Sequence, residues 1–510
     1  MVAGRANAIN MQRRAGVLLH PTSLPGALHG GDIGHQAYRF IEFLNAHGFK
    51  VWQMLPMGPT HNDKSPYQCL SAHAGNSLLI SLDWLEDKGW LDRSKIDEPE
   101  EDQLYRIRCL QFAAEFFYQM EDEYWDNALA TFKRDNIVWL DDYVLFTALK
   151  EKFNNLPWYE WPDDVRHREK GVLEKEEKLL KQPIKQAIFE QFIFFTQWQE
   201  VRDYAKKYDV ELFGDMPIFV AKDSADVWAM RKNFLMNADG DMDFVAGVPP
   251  DAFSDTGQRW GNPLYDWKYM ALDEFSWWKE RFRSQLKLFD IVRVDHFRGL
   301  QAVWQIPAED ETAINGAWVK VPGKAMLKEM YKTFQSLPLV AEDLGVITEK
   351  VIKLKKSFHL PGMKVLQFAF DGNTANPHLP HQHEPEDVIY TGTHDNDTTL
   401  GWAKDVKNYN RKFLQTYSSC NENRNEPAKE ISDENTFWII VRMAMSSVSF
   451  LSVIPMQDIL MGDSTTRMNI PGTTTGNWEW RFEWNRLNQD VLEKISGMLV
   501  LYQRADHGKK

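Results

Sequence analysis

The scarcities of this chain narrow its function first. Its 510 residues include three cysteines, Cys69, Cys109 and Cys420. They lie far apart with no CxxC pair, so neither a disulfide framework nor a zinc site is implied, and a reducing compartment fits. Positive charge is in deficit, with 59 Lys and Arg against 73 Asp and Glu, a formal net charge of −14. That argues against a nucleic-acid partner, which asks for a basic footprint, and against an anionic membrane surface. A neutral substrate suits such a chain. Long apolar runs are missing too. The opening MVAGRANAINMQRRAG has no core of signal-peptide length. The most apolar region, 437–461, is broken by Arg442, Gln457 and Asp458, and reads as a buried helix and strand instead of a membrane span. Internal repeats, low-complexity tracts and an EF-hand pattern are absent.

What is present is ordinary globular composition, 43% hydrophobic and 26% charged. The length alone suggests roughly three domains, but an α/β barrel with insertions absorbs more than about 400 residues as one unit. Aromatics make up 13%, with 20 Trp; they serve core packing and the stacking of sugar rings equally well.

The chain opens as strand, loop, helix, strand: apolar runs at 15–19 and 50–55 flank a Pro/Gly/His loop and a helical pattern at 36–47. This is the start of a parallel α/β fold. A polar loop at 60–78 leads into a mainly helical stretch, 83–208, ending in a long helical pattern at 174–209. Strand patterns resume at 210–213. Residues 245–267, crowded with Pro, Gly, Asp and aromatics, show little periodicity and read as a functional loop. Further strands are predicted at 290–295, 337–341, 362–370, 387–391 and 448–455, with helices at 275–289, 348–358, 435–446 and 488–504. The chain is therefore expected to be one unit, 1–510, with insertions at about 60–208, mainly helical, and 245–267, an active-site loop.

Short apolar runs repeatedly end in polar groups: Asp215, Asp295, Glu342, Asp371, His394 with Asp395, and Asp458. Asp371 and Asp458 read equally well as helix caps. In a (β/α)8 barrel the active site gathers at the C-terminal strand ends, so the expected fold class is α/β, a TIM barrel with a carboxylate-rich mouth. The most informative stretch is IVRVDHFRGL, 291–300. Residues two apart on a strand share a face, which puts Arg293 beside Asp295. The plain alternative is a strand-end ion pair that closes a barrel layer.

A carboxylate-rich mouth supports two chemistries. One is Mg²⁺ or Ca²⁺ binding; the other is glycoside chemistry, in which one carboxylate attacks while a protonated one serves the leaving oxygen. DNDTT at 395–399 is the only local cluster suited to a cation, and Arg293 disfavours a divalent ion beside Asp295. The glycosidic reading is the stronger, with no metal and no cofactor.

The motifs also carry a resemblance. AGVLLHPTSLPG, LPMGP followed by SPYQ, GDMPIFVAKDSADVW, GVPPDAFSDTGQRWGNPLYDW, RVDHFRG, VAEDLGVIT, LPGMKVLQFAF, YTGTHDNDTTLGW and RMNIPGTTTGNWEWR follow in order over about 15–482. Together they resemble the 4-α-glucanotransferases (amylomaltases or disproportionating enzymes) of glycoside hydrolase family 77, in the α-amylase clan. The resemblance implies the clan's catalytic barrel without a C-terminal β-sandwich, with Asp295 as nucleophile, Glu342 as acid/base and Asp395 as transition-state stabiliser. It places Asp215, Arg293 and His394 against the donor sugar, Tyr67 as an aromatic platform, Ser65 nearby, and Trp260 on the acceptor side. His296 reads equally as a packing histidine and as a sugar contact; Asp343 reads as structural; TTTGNWEWR, 473–481, reads either as shaping the far end of the cleft or, the favoured reading, as a Trp-anchored closing loop. The implied donors and acceptors are α-1,4-glucans, maltotriose and longer including amylose, with glucose as a further acceptor and no nucleic-acid or membrane partner. A bacterial cytoplasm or a plastid stroma is implied. A plain α-1,4-glucan hydrolase is the alternative, since the same carboxylates serve both. The loop at 61–65, HNDKS, is more charged and poorer in glycine than the family pattern.

Overall fold

The structure, a computed structural model, describes residues 9–26, 30–97, 102–250, 254–418 and 431–505. Cys420 and residues 251–253 of the predicted loop lie outside them. In chain order the strands are β1 (Arg14–Leu18), β2 (Val51–Gln53), β3 (Glu211–Met216), β4 (Phe244–Val248), β5 (Gln258–Pro263), β6 (Ile291–Val294), β7 (Ala302–Pro307), β8 (Ala317–Lys320), β9 (Leu339–Ala341), β10 (Met363–Val365), β11 (Val388–Tyr390) and β12 (Leu451–Pro455).

Eight of these form one parallel sheet, ordered β10-β11-β12-β1-β2-β3-β6-β9. Read as a ring, this is sequence order, the mark of a (β/α)8 barrel. The ring closes between β9 and β10. Ala341 N–H donates to Pro361 O at 2.8 Å, and Asp343 accepts from Met363 N–H at 2.7 Å while pairing with Lys355 at 2.6 Å. Asp343 is thus structural, as predicted, facing away from its neighbour Glu342. All eight predicted strands form, but the one predicted at 362–370 stops at Val365 and turns into a 3-10 helix, Leu366–Phe368, so Asp371 does not stand at a strand end. The strands are buried on both faces, which is why they read as continuous β-branched and aromatic runs. Packing is close: a Cβ on Gly214 of β3 would lie 2.1 Å from the Phe289 ring, which follows helix Ser276–Leu288.

Residues 245–267 correct the sequence reading. They are not a plain loop, because β4 and β5 lie within or across them. With β7 and β8, which the sequence reading missed, these make an antiparallel sheet ordered β5-β4-β7-β8. The alternation that betrays a strand is broken in two ways here: the register of β4 on β5 shifts between Val245 and Gly247, and β5 itself reads QRWGNP, a composition poor in strand formers. Its pairing comes from β4, which is itself paired with β7 beyond β6, and no local pattern announces that.

The long helix Lys181–Lys207 fixes the polar loop that follows β2. Gln191 accepts from Gly75 N–H at 2.8 Å and donates to Gly75 O at 2.9 Å. Gln197 repeats this on Ser81, at 2.7 and 3.1 Å. Each buried amide thus satisfies both backbone groups of one loop residue, as a neighbouring strand would. Replacing Gln191 by Leu leaves the Gly75 N–H and C=O buried without partners. That is expected to cost roughly 2–4 kcal/mol, seen as a lower urea midpoint with an unchanged slope; an unchanged midpoint would show that the clamp carries no stability.

Candidate active site

Arg293 is the centre of the site. Register pairs it with Asp215 across β3 and β6, so the two side chains share the inward face. Its Nη1 donates to Asp215 Oδ2 at 2.5 Å, and its Nη2 lies 2.8 Å from Asp295 Oδ1. The guanidinium and Asp215 are almost wholly buried, while Asp295 keeps about a quarter of its side chain exposed at the mouth (6%, 1% and 26%). Burial works against the Arg293 charge, but Asp215 and Asp295 outweigh it and hold the guanidinium well above its ordinary range. Burial likewise pushes the Asp215 carboxyl up, with Arg293 pulling it back.

The strand ladders run on into the site. Asp295 N–H donates to Met216 O at 3.0 Å, Glu342 N–H to Val294 O at 3.1 Å, and Phe297 N–H to Glu342 O at 3.1 Å. Both carboxylates are therefore fixed by sheet backbone. Between them, His296 adopts a left-handed conformation, φ 47° and ψ 51°, at a cost of about 1–2 kcal/mol for a residue with a side chain. The turn aims its N–H at Glu342 Oε2, 2.7 Å away, while Leu344 N–H donates to Oε1 at 2.8 Å. Glu342 is nonetheless buried. That burial, with Asp295 nearby and only partly opposed by Arg293, raises its pKa to about 7. The His296 ring, pushed down to about 4 by burial, is neutral and packs edge-on against Trp260 at 4.9 Å. Trp260, on β5, also contacts Phe219.

Opposite these, the segment after β11 carries His394 and Asp395. Asp395 accepts from Asn469 Nδ2 at 2.6 Å and lies 3.3 Å from His394 Nε2; its backbone carbonyl accepts from Arg467. Burial raises its carboxyl, but His394 and Asn469 prevail and hold it well below the usual range. Tyr67 stacks on His394 at 5.2 Å and 18° and donates its hydroxyl to Asp215 Oδ2 at 2.7 Å. Burial, then Asp215, pushes that phenol far up, so it stays a donor. Space of about 430 Å³ opens beside His394, lined in part by His20, Asn396, Gln457 and Arg467. Among the described residues no cluster of three or more His, Cys, Asp or Glu is arranged to hold a metal ion, and no helix is long and apolar enough to cross a membrane.

The structure thus gathers Asp215, Arg293, Asp295, Glu342, His394, Asp395 and Tyr67 at one mouth, with Trp260 joined through His296. Ser65 enters only indirectly: its hydroxyl accepts from Tyr67 N–H at 3.3 Å and its own N–H is tied to Asp63. The sequence reading missed Arg467 and Asn469, although RMNIPG stood among the family-like stretches. Of the two readings of TTTGNWEWR, the closing loop is the favoured one, but Trp478 in that block contacts Tyr67 at 5.9 Å and His394 at 6.0 Å, as a cleft-shaping segment would.

Comparison with known proteins shows the family. The family profile described as 4-alpha-glucanotransferase matches residues 19–487. A 4-alpha-glucanotransferase of Synechocystis sp. is 42% identical over 97% of this chain and 98% of its own length. That of Thermus thermophilus is 43% identical over 97% and 100%, and a chloroplastic/amyloplastic 4-alpha-glucanotransferase of Solanum tuberosum 42% identical over 97% and 87%. Among solved structures, the amylomaltase of Streptococcus agalactiae in complex with acarbose superposes with a TM-score of 0.90, at 33% identity over 97% of this chain and 100% of that one. The chain belongs to the 4-alpha-glucanotransferase family.

Proposed function

We propose that the protein moves α-1,4-glucan segments from one malto-oligosaccharide or amylose chain to another, by a retaining double displacement at Asp295. One arrangement carries this reading: Glu342 is buried, with its carboxyl raised to about 7, while Asp295, one residue from the N–H that holds Glu342, is ion-paired with Arg293. The two carboxyls thereby stand in different environments on adjacent strand ends, one buried and one ion-paired, which suits the split of roles in retaining glycosidic chemistry.

In the first half, an Asp295 oxygen attacks the anomeric carbon, the bond to the leaving oxygen breaks, and Glu342 gives that oxygen its proton. Asp395, kept charged by His394 and Asn469, faces the positive charge that grows on the flattening ring. Tyr67 supplies the aromatic surface beneath the ring, with Asp215 and His394 as hydrogen-bonding partners. In the second half, ionised Glu342 takes the proton of an incoming sugar hydroxyl, which displaces Asp295. Trp260 offers the acceptor an aromatic face beside His296. Neither half asks for a cofactor. The few, scattered cysteines suit a reducing compartment such as a bacterial cytoplasm or a plastid stroma.

Three outcomes are expected. Incubation with maltotriose should give glucose and a ladder of longer chains with a constant total of reducing ends; a steady rise in reducing ends would assign a hydrolase instead. Glu342 starts the reaction in its protonated form, and its folded-state pKa lies above the ordinary 4.5. The competent form is therefore present below about pH 7 and lost above it, so kcat/KM on maltotriose should fall roughly tenfold per pH unit on that side. Glu342→Gln should abolish this limb and spare turnover of an α-glycosyl fluoride, whose leaving group needs no proton, far more than turnover of maltotriose. Equal losses on both donors would remove Glu342 from the acid role.

A further inference from the structure

We propose that Asp458, which touches no part of the catalytic cluster, is a positioning residue that sets Asp395 by tying together both ends of the segment carrying it. The inference rests on the role given to Asp395 above. Asp458 follows β12 in the short helix Met456–Ile459 and is 1% exposed. Its Oδ2 accepts from Thr391 Oγ1 at 2.6 Å and from Thr399 Oγ1 at 2.6 Å, and its Oδ1 accepts from Thr399 N–H at 2.8 Å. Thr391 is the residue after β11, and Thr399 is the first of helix Thr399–Asp405. One carboxylate therefore joins the end of the strand to the start of the helix, with Asp395 midway between the two threonines.

Helix capping does not account for this arrangement. The helix already has its N-cap, since Thr398 accepts from Gly401 N–H at 3.0 Å, and a cap would not need Thr391 at all. Packing does not account for it either, because both threonines are wholly buried and a buried carboxylate costs desolvation that an apolar side chain would avoid. What the three bonds do achieve is a fixed end-to-end distance for the segment. Two further contacts hold its middle: Gln367 Nε2 donates to Asp397 O at 2.8 Å, and Ser464 Oγ to Asp397 Oδ2 at 2.8 Å. Asp395 itself is then aimed by Asn469 and His394. Without the tie, a carboxylate on a segment with neither strand nor helix of its own would sample many positions, and its value to a transition state depends on sampling one.

The test compares Asp458→Ala, Asp458→Asn and Asp395→Asn, alone and combined, on an α-glycosyl fluoride donor so that slow variants stay measurable. Displacement of Asp395 by about an ångström should lower kcat/KM by about 30- to 100-fold in Asp458→Ala. Affinity for acarbose should fall in parallel, because only interactions made in the transition state are lost. Asp458→Asn should stay within about threefold of wild type, since both threonine hydroxyls can turn and accept from its amide. In the Asp395→Asn background Asp458→Ala should add almost nothing. Should Asp458→Ala fail to fold, Thr391→Val and Thr399→Val each cut one end of the tie and should give intermediate losses with the same parallel in acarbose affinity. Full additivity with an impaired Asp395→Asn, or a lowered melting temperature with acarbose affinity and kcat/KM intact, would overturn the inference. An Asp395→Asn enzyme close to wild type would overturn the site assignment itself.

Discussion

A buried arginine governs this active site. Arg293 is nearly inaccessible to water and is held between Asp215 and Asp295. Burying one unpaired charge costs several kcal/mol, so each partner is needed for the others to be where they are. The geometry is a fork, one guanidinium nitrogen per carboxylate, which the single ammonium of lysine cannot reproduce. Asp215 fills the inner place and faces Tyr67. Asp295 fills the outer place and remains partly open to the mouth. Glu342, at the end of the next strand, has no such partner to itself, and burial raises its carboxyl to about 7. In the reading proposed above, the division of labour between the two carboxyls follows from which of them is ion-paired with the arginine.

The rest of the fold aims other groups at this pair. Backbone bonds carry the β3, β6 and β9 ladders one residue beyond the strands, so Asp295 and Glu342 move only if the sheet moves. The helical insertion holds the loop bearing Tyr67 through Gln191 and Gln197. The chain after β12 comes back across the mouth and supplies Arg467, Asn469 and Trp478. Asp395 stands where these systems meet, on a segment without a strand or helix of its own, which is why its position calls for several ties.

Much of this was legible in the sequence because parallel barrel strands are buried on both faces and read as unbroken apolar runs, with the chemistry placed at their ends. RVDHFRG shows the pairing of Arg293 with Asp295 from period-two alternation alone. The antiparallel sheet was not legible. Its strands pair across segments separated by β6, its β5 is QRWGNP, and a register shift breaks its alternation. The contacts of Asp395 with Arg467 and Asn469 were hidden for a similar reason, since more than seventy residues separate the partners and no local spacing records a long-range hydrogen bond. His296 shows the limit most plainly. Its ring attracts attention in the sequence, yet the group that holds Glu342 is its backbone N–H, presented by a left-handed turn that nothing in the motif requires.

The central claim is that glucan is carried covalently on Asp295. It is tested most directly by rapid quenching of the enzyme with a slow fluorinated maltosyl fluoride, followed by peptide mass spectrometry. The expected result is a single glycosyl adduct on the peptide containing residues 291–300, located at Asp295 and discharged by added maltose with formation of a longer chain. An adduct on another carboxylate, or turnover with no adduct at any time, would contradict the account.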